Sequence, residues 1–248
     1  MMAKQDTNII YGRHPVMEAV KAGKSIDKVM LQQGIRGEYE KELRFICKQN
    51  DVQLQVVPKE RLNRFINGNH QGVIGFISLI EYQSIENVLP LVYEQSETPL
   101  FLILDGVTDV RNFGAIARSA EIAGVHAIII PQKGAALINA DAIKTSAGAL
   151  TKIPVCRENS LVNTIEFLQS SGVQVFASSL EAEGLIQNLD FKIPVALIIG
   201  SEDLGVQQSV MRKADKTFII PQVGTSDSFN VSVATGIMLY EVMRQRFG

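Results

Sequence analysis

From residue 99 onward the chain alternates short, almost wholly apolar runs with stretches of helical periodicity. The apolar runs are 100–105 (LFLILD), 126–130 (HAIII), 153–156 (IPVC), 173–178 (VQVFAS), 195–199 (VALII) and 217–220 (TFII). Helical patterns occupy 113–123, 139–147, 160–170, 207–213 and 230–246. A strand with one wet face alternates polar and apolar side chains, so an uninterrupted apolar run has both faces covered. Strands of this kind separated by helices predict an α/β fold, a parallel sheet with helices on both faces. Ligands of such sheets sit at the carboxyl ends of the strands. Three polar, Gly-containing loops fall there, at 105–114, 200–205 and 221–230.

Residues 1–80 read as a smaller α/β domain. IYGRHPVMEAVKAG, at 10–23, is a strand end followed by a helix with Pro15 at its first position and Gly23 just past its end. Strands at 27–32, 52–57 and 73–79 and helices at 38–49 and 59–66 complete it. The stretch 81–98 loses the rhythm and carries Pro90; it reads as a linker, with 84–94 a candidate short helix, and 99–248 is the second domain. Charge divides along the same line. Residues 1–84 hold 12 Lys/Arg against 9 Asp/Glu, net +3, and residues 85–248 hold 12 against 17, net −5. A basic domain beside an acidic one points the first towards a polyanion.

Other classes lose support. No run approaches the roughly 18 apolar residues of a membrane span, and the opening MMAKQDTNIIYG lacks the apolar core of a signal peptide. Cys47 and Cys156 have no CxxC partner and no His cluster near them, which argues against a disulfide or a metal site and fits a reducing cytoplasm. Neither GxGxxG nor GxxxxGK[ST] occurs, so dinucleotide and P-loop chemistry are disfavoured.

The three loops carry the polar groups. In LDGVTDVRNFGAIARSAEIAG, 104–124, Asn112 and Arg118 lie on different faces if the helix already includes Asn112, and converge if Asn112 belongs to the loop before it. Gly114 and Ala115 are small enough for a close backbone approach. In IIGSEDLGV, 198–206, Gly200 follows a strand directly and Glu202 places an acid at the mouth of the sheet. In 221–230, Asp227 or Ser228 is the expected N-cap of the last helix. That helix has apolar residues around much of its circumference, from Val231 and Val233 to Tyr240 and Met243, more than one sheet can cover, so a second copy of the chain is the expected cover.

NFGAIARSAEIAG, IIGSEDLGV and IIPQVGTSDSFNVSVATGIMLYE, in this order and spacing, resemble the three motifs of the SpoU/TrmH family of RNA ribose 2′-O-methyltransferases, within the SPOUT superfamily. The likeness spans essentially all of 100–248. The first domain, with IYGRHPVMEAV near its start and His70-Gln71-Gly72-Val73 near its end, resembles the ribosomal-protein-like RNA-binding domain of some members. The arrangement is most similar to those that methylate a guanosine of 23S rRNA. The resemblance implies a C-terminal trefoil knot, S-adenosylmethionine as cofactor, rRNA as substrate, and a homodimer with its active site at the subunit interface. Carried over by position, Asn112, Arg118, Glu202, Ser228 and Asn230 match the family's catalytic-centre residues, and Gly200, Ile220 and Phe229 match positions whose backbone meets the cofactor. Phe229 stands where Leu is usual, and Asp203-Leu204 replace a more Gly-rich pair.

The implied reaction is an in-line displacement by a ribose hydroxyl, which needs two reactants oriented and a developing alkoxide stabilised. A guanidinium holds its proton too tightly to act as a base. Arg118 therefore suits a positioning and electrostatic role, gripping a phosphate bidentately beside the hydroxyl. Two other readings stay open at this stage: the same reaction on tRNA or another rRNA nucleotide, and an RNA-binding or assembly protein that keeps the fold without the activity.

Overall fold

The computed structural model describes residues 8–225 and 227–248, so residues 1–7 of the expected first domain lie outside it. The chain runs β1 (Ile9–Tyr11), α1 (Arg13–Lys21), β2 (Ile26–Gln32), α2 (Glu38–Gln49), β3 (Gln53–Val57), α3 (Lys59–Asn63) and β4 (Val73–Ile77) in its first unit. Among the described residues these strands form a four-stranded sheet in the order β1-β4-β2-β3, with β2 and β3 parallel and the other pairings antiparallel. Successive side chains of a strand point to opposite faces, and β2 uses both. Val29 and Leu31 pack with Val16 and Val20 of α1 and Leu43 and Ile46 of α2. Met30, on the other face, packs with Leu62, Ile74 and Phe76. Helix α1 starts two residues earlier than expected, at Arg13, which puts Pro15 at its third position. The first-turn N–H groups of a helix have no intrahelical acceptor, so Pro15 sacrifices no hydrogen bond there.

The second unit comprises Tyr82–Leu137 and Asp141–Gly248, and the first takes in Ile138–Ala140 beside the residues up to Glu81. Its elements are β5 (Tyr82–Gln83), α4 (Ile85–Glu94), β6 (Leu100–Asp105), α5 (Val110–Ile122), β7 (Ala127–Pro131), α6 (Ala140–Thr145), β8 (Val155–Glu158), α7 (Leu161–Ser170), β9 (Gln174–Ser178), β10 (Val195–Gly200), α8 (Gln208–Met211), β11 (Lys216–Phe218) and α9 (Val231–Phe247). Among the described residues they form a seven-stranded sheet in the order β11-β9-β10-β6-β7-β8-β5, every pair parallel. Ile85, Leu161, Ile165 and Val210 share one core cluster with Phe101, Ile103, Ala196 and Ile198 of the sheet. The alternate strand residues Leu102, Leu104, Leu197 and Ile199 are buried as well. Helices α5 and α9 pack on each other, and Phe113 and Ile116 of the first and Met238 and Leu239 of the second are buried.

The expected linker is structural. Tyr82 and Gln83 pair with Val155 and Cys156 as the edge strand, and α4 buries Ile85, Val88, Leu89 and Val92 in the core. The candidate helix at 84–94 is thus present as α4, with Pro90 inside it. Gly114 makes the close approach its size permits: a Cβ there would lie 2.7 Å from Thr145 Cβ and 3.0 Å from the Ala142 carbonyl oxygen. The end of α9 is tied down by the Arg246 guanidinium, which donates to the carbonyls of Thr98, Pro99, Phe191 and Ile193 at 2.8–3.0 Å. Cys47 and Cys156 are free and buried, and burial raises their thiols to about 11 and about 12. Among the described residues, no helix is long and apolar enough to cross a membrane and no three His, Cys, Asp or Glu side chains are grouped to hold a metal ion.

Candidate active site

The order of the second sheet reverses between β6 and β10, where the loops leaving the two strand ends diverge. A cavity of about 490 Å³ opens at this carboxyl edge, within the range of small-molecule sites. Gly200, Glu202, Ile220, Ser228 and Phe229, five of the residues singled out in the sequence, line it. Its wall also includes residues 178–181, which the sequence reading missed. Their signal was present: a polar SSLE leaves the end of a strand, β9, at the same edge of the sheet. The mixed wall, with Ile199, Phe218 and Met238 beside backbone and hydroxyl groups, suits a ligand with an apolar part and a polar part.

Gly200 is required by packing. A Cβ on it would lie 1.9 Å from the Gly205 carbonyl carbon and 2.1 Å from the Val206 nitrogen, so the loop folds back directly over it. Ser201 and Gly205 exchange backbone hydrogen bonds of 3.1 and 2.9 Å, and the Leu204 N–H donates to Ser201 Oγ at 3.2 Å. The turn is therefore closed with Asp203-Leu204 in place. Asp105, which the sequence reading gave no role, secures its far end. It ends β6 opposite Gly200, is 1% exposed, and accepts from the Gln207 backbone N–H at 2.7 Å and from Gln207 Nε2 at 2.6 Å. An acid ending an otherwise apolar strand was the available clue. Asp105→Ala is expected to cost about 1–3 kcal/mol, because both Gln207 donors lose their acceptor. Urea unfolding measures this, and an unchanged midpoint would contradict it.

Asn230 gathers the polar centre. Its Oδ1 accepts from the Ser232 N–H at 3.0 Å, the Ser232 hydroxyl at 2.6 Å and the Val233 N–H at 3.4 Å, so Asn230 caps α9, not Asp227 or Ser228. With Oδ1 committed to the cap, Nδ2 points the other way and donates to Glu202 Oε1 at 2.5 Å and Asn112 Oδ1 at 3.2 Å. The Val231 N–H adds a 3.4 Å contact to the same Glu202 oxygen. Asn112 is placed by the cap of α5, where Asp109 accepts from the Arg111 and Asn112 N–H groups at 2.9 and 2.8 Å. One residue from each loop thus meets at a single amide nitrogen. Ser228 and Glu202 both line the cavity.

Arg118 does not join this cluster. Helix α5 begins at Val110 and includes Asn112, so six residues place Arg118 roughly 120° round the helix from it. Arg118 is exposed and has no partner among the described residues. It shares a face with Ile122, one turn on, which is 68% exposed. Helix α9 has a matching bare stripe: Val233, Tyr240 and Phe247, spaced at sevens and therefore aligned, are 51%, 66% and 83% exposed.

A family model described as the SpoU rRNA Methylase family matches residues 99–240. A second, described as RNA 2′-O ribose methyltransferase substrate binding, matches residues 9–83. The chain is 33% identical over 243 residues to YacO of Bacillus subtilis (strain 168), a protein assigned by name to the TrmH family tRNA/rRNA methyltransferases, across 98% of this chain and 97% of that one. Among solved structures, the AdoMet-bound rRNA methyltransferase of Sinorhizobium meliloti aligns with a TM-score of 0.62 and 26% identity, over 97% of this chain and 88% of that one. The TrmH/SpoU tRNA modifying enzyme of A. aeolicus aligns with a TM-score of 0.55 and 31% identity, over 65% of this chain and 83% of that one. With motifs, fold and substrate-binding unit in agreement, the chain belongs to the SpoU rRNA methylase family and is an RNA 2′-O-ribose methyltransferase.

Proposed function

We propose that this enzyme methylates the ribose 2′-hydroxyl of a guanosine in 23S rRNA, with S-adenosylmethionine as donor, and that it works as a homodimer. The observation that carries the reading is the convergence of Asn112, Glu202 and Asn230 on one amide nitrogen at the rim of the cavity. The cavity fits the cofactor: its volume is adequate, its wall is part apolar, and Gly200 lets the 201–206 turn that forms part of that wall fold back over the strand end. Gly200, Ile220 and Phe229 would hold it largely through backbone groups, so Phe in place of Leu leaves those contacts available. Bound there, S-adenosylmethionine supplies the methyl group. The loops 200–205 and 221–230 are, on this reading, the loops of the trefoil knot that the motifs imply.

The chain's own residues orient the acceptor. Asn112 and Ser228 offer hydrogen bonds to the ribose, and Glu202 and the cap of α9 hold Asn230 in one orientation. Arg118 supplies the positive charge for the developing alkoxide and grips the neighbouring phosphate. Since it stands apart from the cluster in its own chain, it serves the site of the second copy. The bare faces of α5 and α9, with Ile122, Val233, Tyr240 and Phe247, support that second copy. Light scattering of the RNA-free protein at micromolar concentration is expected to give twice the mass of one chain; a stable monomer would contradict the composite site.

The A. aeolicus likeness favours tRNA as a second reading, but it spans 65% of this chain, whereas the S. meliloti rRNA methyltransferase spans 97%. Transfer of tritiated methyl groups to purified rRNA and tRNA, followed by nuclease digestion, separates them. Label recovered as 2′-O-methylguanosine from rRNA alone is the expected outcome.

A further inference from the structure

A second cavity, of about 850 Å³, lies wholly within the first unit, and nothing in the reaction at the sheet edge uses it. Arg13, His14, Lys59, Asn63, Asn69 and Gln71 contribute to its polar wall, and among the described residues no Asp or Glu lines it. An opening with cationic and amide groups and no acid selects an anion that also carries hydrogen-bonding edges.

The wall is built from the buried side outward. His70, 5% exposed, accepts the Gly72 N–H on Nδ1 at 3.0 Å. Its proton is then on Nε2, which donates to Asn63 Oδ1 at 2.9 Å. Asn63 thus has its oxygen committed to a buried pillar, while its amide N–H groups have no partner among the described residues. Gln71 is held in the left-handed region at φ 50, uncommon for a non-glycine residue and frequent where a loop is shaped for function. Its Oε1 accepts the Arg13 backbone N–H at 2.9 Å, and its carbonyl receives Arg13 Nε at 3.5 Å. The Arg13 guanidinium lies 5.1 Å over the Tyr39 ring, so an aromatic face and a carbonyl hold it in place of a carboxylate. Lys59 and His14 are exposed and have no partner among the described residues.

We propose that this cavity seats an unpaired nucleotide of the RNA substrate, with Arg13 and Lys59 on its phosphate and the Asn63 and Gln71 amides on its base. The identity of the polyanion as RNA rests on the methyltransferase reading above. A concave site selects an unpaired residue because paired bases present only a shallow groove, whereas a splayed base enters a pocket and is read at its edges. Phosphate contacts alone bind without regard to pairing; the amides add the preference.

The test measures binding of the full-length protein, without cofactor, to two fluorescent RNAs with equal numbers of phosphates, a hairpin with an unpaired loop and a fully paired duplex. Wild type should prefer the hairpin. Lys59→Ala, a change at an exposed side chain with no polar partner among the described residues, should weaken hairpin binding about 3- to 10-fold and lower its salt dependence by one phosphate contact. Asn63→Asp keeps the acceptor for His70 but replaces the donor with a charge, and should cut the hairpin-over-duplex preference about tenfold. Equal wild-type affinity for both RNAs would overturn the proposal, as would an Asn63→Asp variant that keeps the preference or a Lys59→Ala variant that binds the hairpin as wild type does. Titration of the same samples with S-adenosylmethionine separates the two readings. Wild type that binds no cofactor would sink the methyltransferase reading, while the hairpin preference is read independently of it.

Discussion

Arg118→Ala is expected to lower single-turnover methyl transfer by about 10²- to 10³-fold, the usual cost of removing one group aimed at developing charge. Cofactor affinity should stay near wild type, because Arg118 is not among the residues lining the cavity. Arg118→Lys keeps the charge but loses the planar fork, so it should recover only a small part of the rate. Its pH–rate profile should keep the wild-type acid limb; a limb that moves in the Lys variant would make Arg118 the proton acceptor instead. The structure adds a sharper expectation, since Arg118 stands about 120° round α5 from Asn112 with no partner among the described residues. Mixing Arg118→Ala subunits with Glu202→Ala subunits should restore activity, because a heterodimer then holds one site with an intact cluster and an intact Arg118 from the other copy. If Arg118 served its own chain, both sites of that heterodimer would be defective and the mixture would stay inactive.

Gly200→Ala should weaken cofactor binding about 10²-fold with little loss elsewhere. The added methyl would sit 1.9 Å from the Gly205 carbonyl carbon and 2.2 Å from its oxygen, all backbone atoms that no rotamer change can move aside. The turn from Ser201 to Gly205 must shift by an ångström or so, and displacements on that scale cost about 10²-fold in a positioned site. The core strands 195–200 and 100–105 pair along their whole length below this point, so the sheet should survive. Calorimetric titration with S-adenosylmethionine, run beside a thermal melt, reads both effects. Wild-type affinity in the variant would mean that the cofactor is held elsewhere.

Much of the second domain was legible because parallel strands buried on both faces leave an unambiguous trace: LFLILD and VALII admit few other readings. The candidate helix at 84–94 is present as α4 with Pro90 carried inside it, but the loss of rhythm in 81–98 gave no sign that Ile85, Val88 and Leu89 bury their side chains in the second core. The candidate site was legible as three loops, but the sequence left open whether Asn112 and Arg118 converge. The Asp109 cap decides that, since it starts α5 at Val110 and draws Asn112 into the first turn. The cap of α9 was assigned to Asp227 or Ser228 on residue type alone. Asn230 fills it because a single amide can present its oxygen to the helix and its nitrogen to Glu202 and Asn112, which no hydroxyl or carboxylate can do. Asp105 and residues 178–181 were missed for a plainer reason: their partners lie far along the chain, and only the sheet order brings them to the same edge.

The most direct test of the account is a transcriptome-wide map of 2′-O-methylated riboses in cells with and without this protein. The account predicts one guanosine in 23S rRNA that is methylated with the wild-type protein, unmethylated without it, and unmethylated when Arg118→Ala or Gly200→Ala replaces it. Identical maps with and without the protein, or a lost mark confined to tRNA, would contradict it.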